Sequence, residues 1–173
     1  MPTLPPRRSR RRYLAQSLAG LMVMPTALLS GCQTPGGGSP ASQRDTRLRA
    51  LGFTPSDEGW SLNLSSKLLF AFDADALDAT QRQHLLELGN SLAALGVGEL
   101  RIEGHTDLKG SSDYNLQLSQ RRAEAVAQVL RGSALSRARL TVRSRGKERP
   151  VCTDDTEACQ SQNRRVVLIV PAL

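Results

Sequence analysis

Aromatic side chains are nearly missing from this chain: three Phe, two Tyr and one Trp, 3% of 173 residues, so Leu, Val and Ala must supply most of the packing. Histidine is scarcer still. His84 and His105 are the only two, and neither stands in ligand-like spacing with the three cysteines, Cys32, Cys152 and Cys159. A metal site needs more ligands than that, so no metal and no other cofactor is implied. Acidic residues are absent from positions 1–31, a stretch that holds Arg7, Arg8, Arg10, Arg11 and Arg12. The formal charge of +7 is therefore concentrated at one end. Setting that end aside leaves 18 basic against 16 acidic residues, and no electrostatic case for binding nucleic acid. Long apolar runs are missing too. The longest, 13–29, is about 17 residues broken by Gln16 and Pro25, short of the roughly 20 that span a bilayer. No internal repeat is visible. With 39% hydrophobic and 23% charged residues, the remainder suits one soluble globular domain with some extra chain.

Five arginines, an apolar run and the small residues Ser30 and Gly31 follow one another in the order of a secretory signal peptide. A permanent transmembrane anchor is the other reading of the same run. Leu29-Ser30-Gly31-Cys32 favours export with cleavage, because it resembles the lipobox of bacterial lipoproteins. There the cysteine thiol is diacylated before the chain is cut in front of it. That resemblance makes Cys32 the first residue of the mature chain, carrying acyl chains that anchor it to a membrane. Gln33 in place of Asp after the cysteine implies, by the same resemblance, release to the outer membrane on its periplasmic face. Ser9-Arg10-Arg11-Arg12-Tyr13-Leu14 looks like a twin-arginine export motif, although a merely Arg-rich start would read alike. With Cys32 acylated, Cys152 and Cys159 are left as an even pair in an oxidising compartment. A disulfide closing a short loop is expected, worth about 2–3 kcal/mol in loop entropy.

The mature chain opens on QTPGGGSPASQ, residues 33–43, a Gly/Pro/Ser-rich tether reaching at most roughly 36–40 Å. Residues 44–51 could form a short helix stopped by Gly52. The boundaries read as a signal peptide over 1–31, a lipidated tether with a short helix over 32–56, and the folded domain over 57–173. Leu62, Leu64, Leu68, Phe70 and Phe72 alternate, with Ser66 interrupting, as a half-buried strand or a strand with a lead-in. Asp78 can cap a helix over about 79–95, with Leu85, Leu88, Leu92 and Leu95 on one stripe. A second strand runs over 99–104 and a second helix over 112–130, the latter with Ala123, Val126, Ala127 and Leu130 as its apolar face. Leu140, Val142 and Ser144 alternate in a third strand. Val166 to Val170 is a continuous apolar run, the mark of a strand covered on both faces or central in a sheet. The order βαβαββ predicts a two-layer α/β (α+β sandwich) domain with a mixed sheet.

Gly104-His105-Thr106-Asp107 falls where the second strand turns toward the next helix, and carboxyl ends of strands are common ligand sites. Asp107 could equally be a turn former or a helix cap. If the regular helix begins near Ser119, Arg121 and Arg122 fall in its first turn, where each cation opposes the macrodipole by about 0.3–1 kcal/mol. Arg122, four residues before Val126, lies close to the buried face. A cation there calls for an anion, either an acidic partner or a ligand carboxylate gripped in bidentate fashion. Arg121 is expected to point to solvent.

The stretch GHTDLKGSSDYNLQLSQRRAEAVAQVL resembles the signature of the OmpA/Pal family of peptidoglycan-binding domains. The family pattern is GHTD, a Gly three residues on, YN, LS, and RA with Val three residues after the alanine. Here these are Gly104 to Asp107, Gly110, Tyr114-Asn115, Leu118-Ser119, Arg122-Ala123 and Val126. A second family stretch appears as Gly146-Lys147-Glu148, Pro150 and Asn163-Arg164-Arg165-Val166, and the similarity runs from Ser65 to Val170. The resemblance implies a non-catalytic domain that holds the stem peptide of peptidoglycan, chiefly through diaminopimelate. The side chain of that residue ends in both an ammonium and a carboxylate, so it needs an acid and a base together. By the resemblance Asp107 is the acid and Arg122 the base. Asn115 and Arg164 match further ligand-contacting positions, backbone groups near Thr106 and Leu118 complete the cradle, and Asp75 is a further carry-over. Lys109 stands where the family often has a small or polar residue, and the Cys152/Cys159 pair departs from the pattern. Arg165 is expected to be structural or exposed.

Two roles compete. One is a wall tether with lipid at one end and peptidoglycan at the other. The other is signalling. Gly52-Phe53, Asp57 to Trp60, Ser65 to Lys67 and the NRRV…IVPA ending resemble a branch of the family that sequesters a YfiR-type periplasmic repressor and so relieves an inner-membrane diguanylate cyclase. Leu48, Leu51, Phe53 and Trp60 could form an exposed apolar patch for such a partner, or fold back as core. An enzyme is the third class and is not expected. No nucleophile elbow or metal cluster accompanies His105 and Asp107, and Ser111 and Ser112 lie in a polar loop.

Overall fold

Among the described residues, the leucine stripe after Asp78, the Ala/Val face of 112–130 and the VVLIV run each become one element. The computed structural model describes residues 40–66 and 76–172. Helix α1 (Pro40–Ala50) leads into a hairpin of β1 (Thr54–Ser56) and β2 (Gly59–Ser65). Then come α2 (Ala79–Ala94), β3 (Glu99–His105), α3 (Ser112–Arg131), a 3₁₀ turn (Ala134–Arg137), β4 (Arg139–Gly146), α4 (Glu157–Asn163) and β5 (Arg165–Pro171). The strands form one mixed sheet in the order β1-β2-β5-β3-β4. Only β3 and β4 run parallel, as the intervening α3 crossover requires; the other neighbours are antiparallel.

The VVLIV run is the middle strand, bonded on both sides, which explains why it reads as continuously apolar. Register Ile102↔Leu168 puts Leu100 and Ile102 on the same face as Val166, Leu168 and Val170, and this face meets the helices. Leu85 and Leu92 of α2, with Ala123, Val126, Ala127 and Leu130 of α3, fill the layer between. Asp78 caps α2 as expected, accepting the Gln81 amide at 2.9 Å.

Four expectations are corrected. The regular strand stops at Ser65, so the alternation does not continue as one strand through Ser66; residues 68, 70 and 72 lie outside the described ones. An extra edge strand, β1, precedes it. At three exposed residues including Pro55, β1 carries no alternation to read. Its hairpin depends on Gly59, which has φ +120° and where a Cβ would stand 2.3 Å from the Val170 carbonyl. Helix α4 was also missed, being seven residues without an apolar stripe. Finally, the folded unit begins earlier than residue 57. Residues 40–43 are already helical, Leu48 and Phe53 are core, and Leu51 and Trp60 pack against it. The four apolar residues of this segment therefore fold back as core and make no exposed patch. Arg49 lies over the Trp60 ring, 4.9 Å from its centroid, which fastens α1 to the hairpin.

Leu48 is 0% exposed. Leu48→Ala is expected to cost about 2–4 kcal/mol in urea unfolding. A loss below roughly 0.5 kcal/mol, the level of an indifferent surface site, would mean that α1 is not part of the cooperative unit.

Candidate functional site

The site is assembled where β3 ends. Gly104 lies so close to α3 that a Cβ there would stand 2.0 Å from the Ser119 carbonyl oxygen. Ser119, fully buried, accepts the Gly146 amide through its hydroxyl at 3.0 Å, and the Thr106 amide donates to the Gly146 carbonyl at 2.8 Å. Three segments thus meet at one point: the end of β3, the middle of α3 and the end of β4.

Beyond that point the chain turns. Asp107 Oδ1 accepts the Lys109 amide at 3.2 Å, so its turn-forming role is real. Its other oxygen, Oδ2, receives Arg164 Nη1 at 2.9 Å. Ser111 caps α3 by accepting the Tyr114 amide, and Asn115, buried, donates to the carbonyls of Lys109 and Ser111. Asn115 thereby fixes the 107–111 turn to the helix. Leu118, Ser119 and Arg122 continue the same buried face at helical spacing. Helix α3 starts at Ser112, as read from the sequence; the alternative start near Ser119 does not hold, so Arg121 and Arg122 lie well inside the helix and the conflict with the macrodipole does not arise. Arg121 is exposed, as expected, while the Arg122 side chain is buried in the α3 face.

Arg164 follows α4 and is shared between two acids, Asp107 and Glu157, the latter through Nη2. Burial alone would lower the Arg164 pKa; the two carboxylates outweigh it and raise it. Arg165 is structural, donating to the carbonyls of Asn163 and Arg149. Cys152 and Cys159 are joined by a disulfide. Asn163, buried, accepts the Val151 and Cys152 amides and donates to the Cys152 carbonyl, pinning the same loop from its other end. Among the sequence-derived candidates, Thr106, Asp107 and Asn115 gather at the end of β3 and Asp107 pairs with Arg164, whereas Leu118 and Arg122 lie further along the buried face of α3. Asp75 and Cys32 lie outside the described residues.

The OmpA family model matches residues 69–164. The chain belongs to the OmpA family. Over 171 residues it is 42% identical to the outer-membrane lipoprotein YfiB of Pseudomonas aeruginosa, covering 98% of this chain and 99% of that one. It is 34% identical to the peptidoglycan-associated lipoprotein of Legionella pneumophila, over 88% of this chain and 94% of the relative. Among solved structures, the cell wall anchor of the type VI secretion system from P. aeruginosa superposes with a TM-score of 0.60 at 26% identity, covering 77% of this chain and 96% of that chain.

Within this OmpA-family domain the sequence reading missed Glu157, whose signal was an acid six residues before Asn163, at the head of an unrecognised helix. It also missed the charged network on the sheet face opposite the helices. There Glu103, 2% exposed, receives Arg145 through Nε at 3.1 Å and Nη2 at 2.9 Å, and Arg101 Nε stands 2.9 Å away. Burial would push the Glu103 carboxyl up, but Arg145, Arg101 and His105 outweigh it and hold it below the usual value. His105, 3% exposed, is held at about 4, first by burial and then by the Arg165 charge.

The unfolded chain takes up the His105 proton near pH 6.5, whereas the folded chain resists it until about 4. Folding stability should thus fall as pH drops through this window, by roughly 3 kcal/mol in all. Glu103, with its lowered pKa, loses its contribution only below its ordinary 4.5, so the upper part of the window reports His105. Denaturant unfolding of His105→Gln between pH 6.5 and 4.5 is expected to show a flatter slope than wild type. An unchanged slope would contradict a neutral buried imidazole.

Proposed function

We propose that this chain is an outer-membrane lipoprotein, lipidated at Cys32, that binds peptidoglycan non-covalently through the diaminopimelate of the stem peptide and tethers the envelope layers. The observation that carries the reading is the partly buried Asp107–Arg164 pair, seated in the turn that follows β3 and leads into α3. A zwitterionic side chain needs an acid for its ammonium and a base for its carboxylate. Asp107 takes the first role and Arg122 the second, each as a charge-assisted hydrogen bond. Backbone groups near Thr106 and Leu118, the side chains of Asn115 and Arg164, and Asp75 complete the cradle. The names of the relatives support this: one is a peptidoglycan-associated lipoprotein, one an outer-membrane lipoprotein and one a cell wall anchor. The role proposed is without bond-breaking chemistry.

A second reading is favoured by one specific observation. The similarity to YfiB spans 98% of the chain, so it includes the α1–β2 segment that precedes the residues matched by the family model. Under that reading the chain captures a YfiR-type periplasmic repressor of a diguanylate cyclase. With Leu48 and Phe53 buried, capture would use the polar outer side of α1 and the hairpin.

Co-sedimentation of the full chain, in mild detergent, with purified sacculi tests the first reading. Wild type is expected to pellet. Asp107→Ala and Arg122→Ala should each lose about ten-fold or more in affinity, as loss of a charge-assisted bond implies, with thermal melts confirming that the variants fold. Wild type left in the supernatant would overturn wall binding and put repressor capture first. Release of soluble muropeptides would overturn the non-enzymatic role.

A further inference from the structure

An arginine facing a lone carboxylate settles into a two-pronged pair, with two parallel N–H donors on two oxygens. Arg164 does not. Its fork is split, Nη1 going to Asp107 and Nη2 to Glu157. Asp107 is left with one bond on each oxygen, Arg164 on Oδ2 and the Lys109 amide on Oδ1. Each carboxylate oxygen accepts about two, so capacity remains on both.

Glu157 is placed with care. It is the first residue of α4, where the preceding Thr156 caps the helix by accepting the Cys159 amide at 3.2 Å. The Cys152–Cys159 disulfide closes the loop around it, and Asn163 secures the far end of α4 to Cys152. The Lys109–Asp155 pair across the same loop is longer, 3.8 Å, and both its side chains are exposed; Glu157 is 65% exposed as well, but its backbone is fixed by the Thr156 cap and the disulfide-closed loop.

We propose that Glu157, held by the disulfide-closed loop, is a positioning residue of the cradle: by occupying one prong of Arg164 it keeps that arginine from forking onto Asp107, and so leaves Asp107 open to a ligand ammonium. The inference rests on the wall-binding reading and names the group that makes Asp107 selective for the ammonium end of the zwitterion. Arg164 becomes a cation kept at half engagement. The disulfide acts one step further back, by fixing Glu157.

The test uses the full chain, diaminopimelate alone as probe, and isothermal calorimetry. Glu157→Gln is expected to weaken binding about five-fold, the scale of one partly exposed charge interaction. In an Arg164→Gln background the same substitution should have no further effect, a non-additivity that a merely structural glutamate would not produce. Cys152→Ser combined with Cys159→Ser should weaken binding in the same direction. Independently of any ligand, a crystal structure of Glu157→Gln is expected to show both prongs of Arg164 on Asp107. A fork still split, or unchanged affinity in Glu157→Gln while wild type binds, would overturn the inference and leave wall binding standing. Failure of wild type to bind diaminopimelate would overturn the ammonium role along with the wall reading.

Discussion

Helix α3 can lie where it does only because Gly104 has no side chain. The Ser119 carbonyl oxygen occupies the place a Cβ would need, and the approach is too close for any other residue to be accommodated without moving backbone. From that contact the rest of the site follows. Ser119 reaches the Gly146 amide, Gly146 receives the Thr106 amide, and the ends of β3 and β4 are locked beside the helix. The helix face that begins at Asn115 is then turned toward the 107–111 loop, as the Asn115 bonds to Lys109 and Ser111 demonstrate. Arg122 shares that face because it is seven residues, about two turns, further on.

The domain buries charge in two different ways. On the sheet face away from the helices, the buried Glu103 is held in a two-pronged grip by Arg145, with Arg101 alongside. Both Glu103 oxygens are engaged by Arg145, and removing that partner would strand a buried charge, typically at a cost of about 3–5 kcal/mol. At the end of β3, Asp107 and Arg164 are 18% and 19% exposed and meet through a single prong, the other prong of Arg164 going to Glu157. An incomplete charge pair of that kind has room for a third party.

Much of this was legible in the sequence. Asp78 before a leucine stripe, the Ala/Val face of α3 and the VVLIV run each state one element through a single strong period, and each formed as read. The edge strand β1 and helix α4 were not legible, because three residues and seven residues carry too little periodicity to register. The first-turn placement of Arg122 failed for a related reason: Ser111 is the true cap, and it was read as part of a polar loop. The pre-domain segment was ambiguous by nature, since Leu48 and Phe53 suit either a partner or a core, and only the packing decides between them. Glu157 left only a faint trace, an acid shortly before Asn163, because its role is set by a tertiary contact with Arg164.

The central claim is that one end of the sheet, between the 106–111 turn and the Arg122 face of α3, holds a zwitterionic side chain. The measurement that tests it most directly is an amide NMR titration of the isotopically labelled chain with diaminopimelate. The account predicts shifts concentrated at residues 106–122 and around Arg164, with the Glu103 network and α1 unmoved. Shifts confined to α1 and the β1–β2 hairpin, or spread along the opposite sheet face, would contradict it.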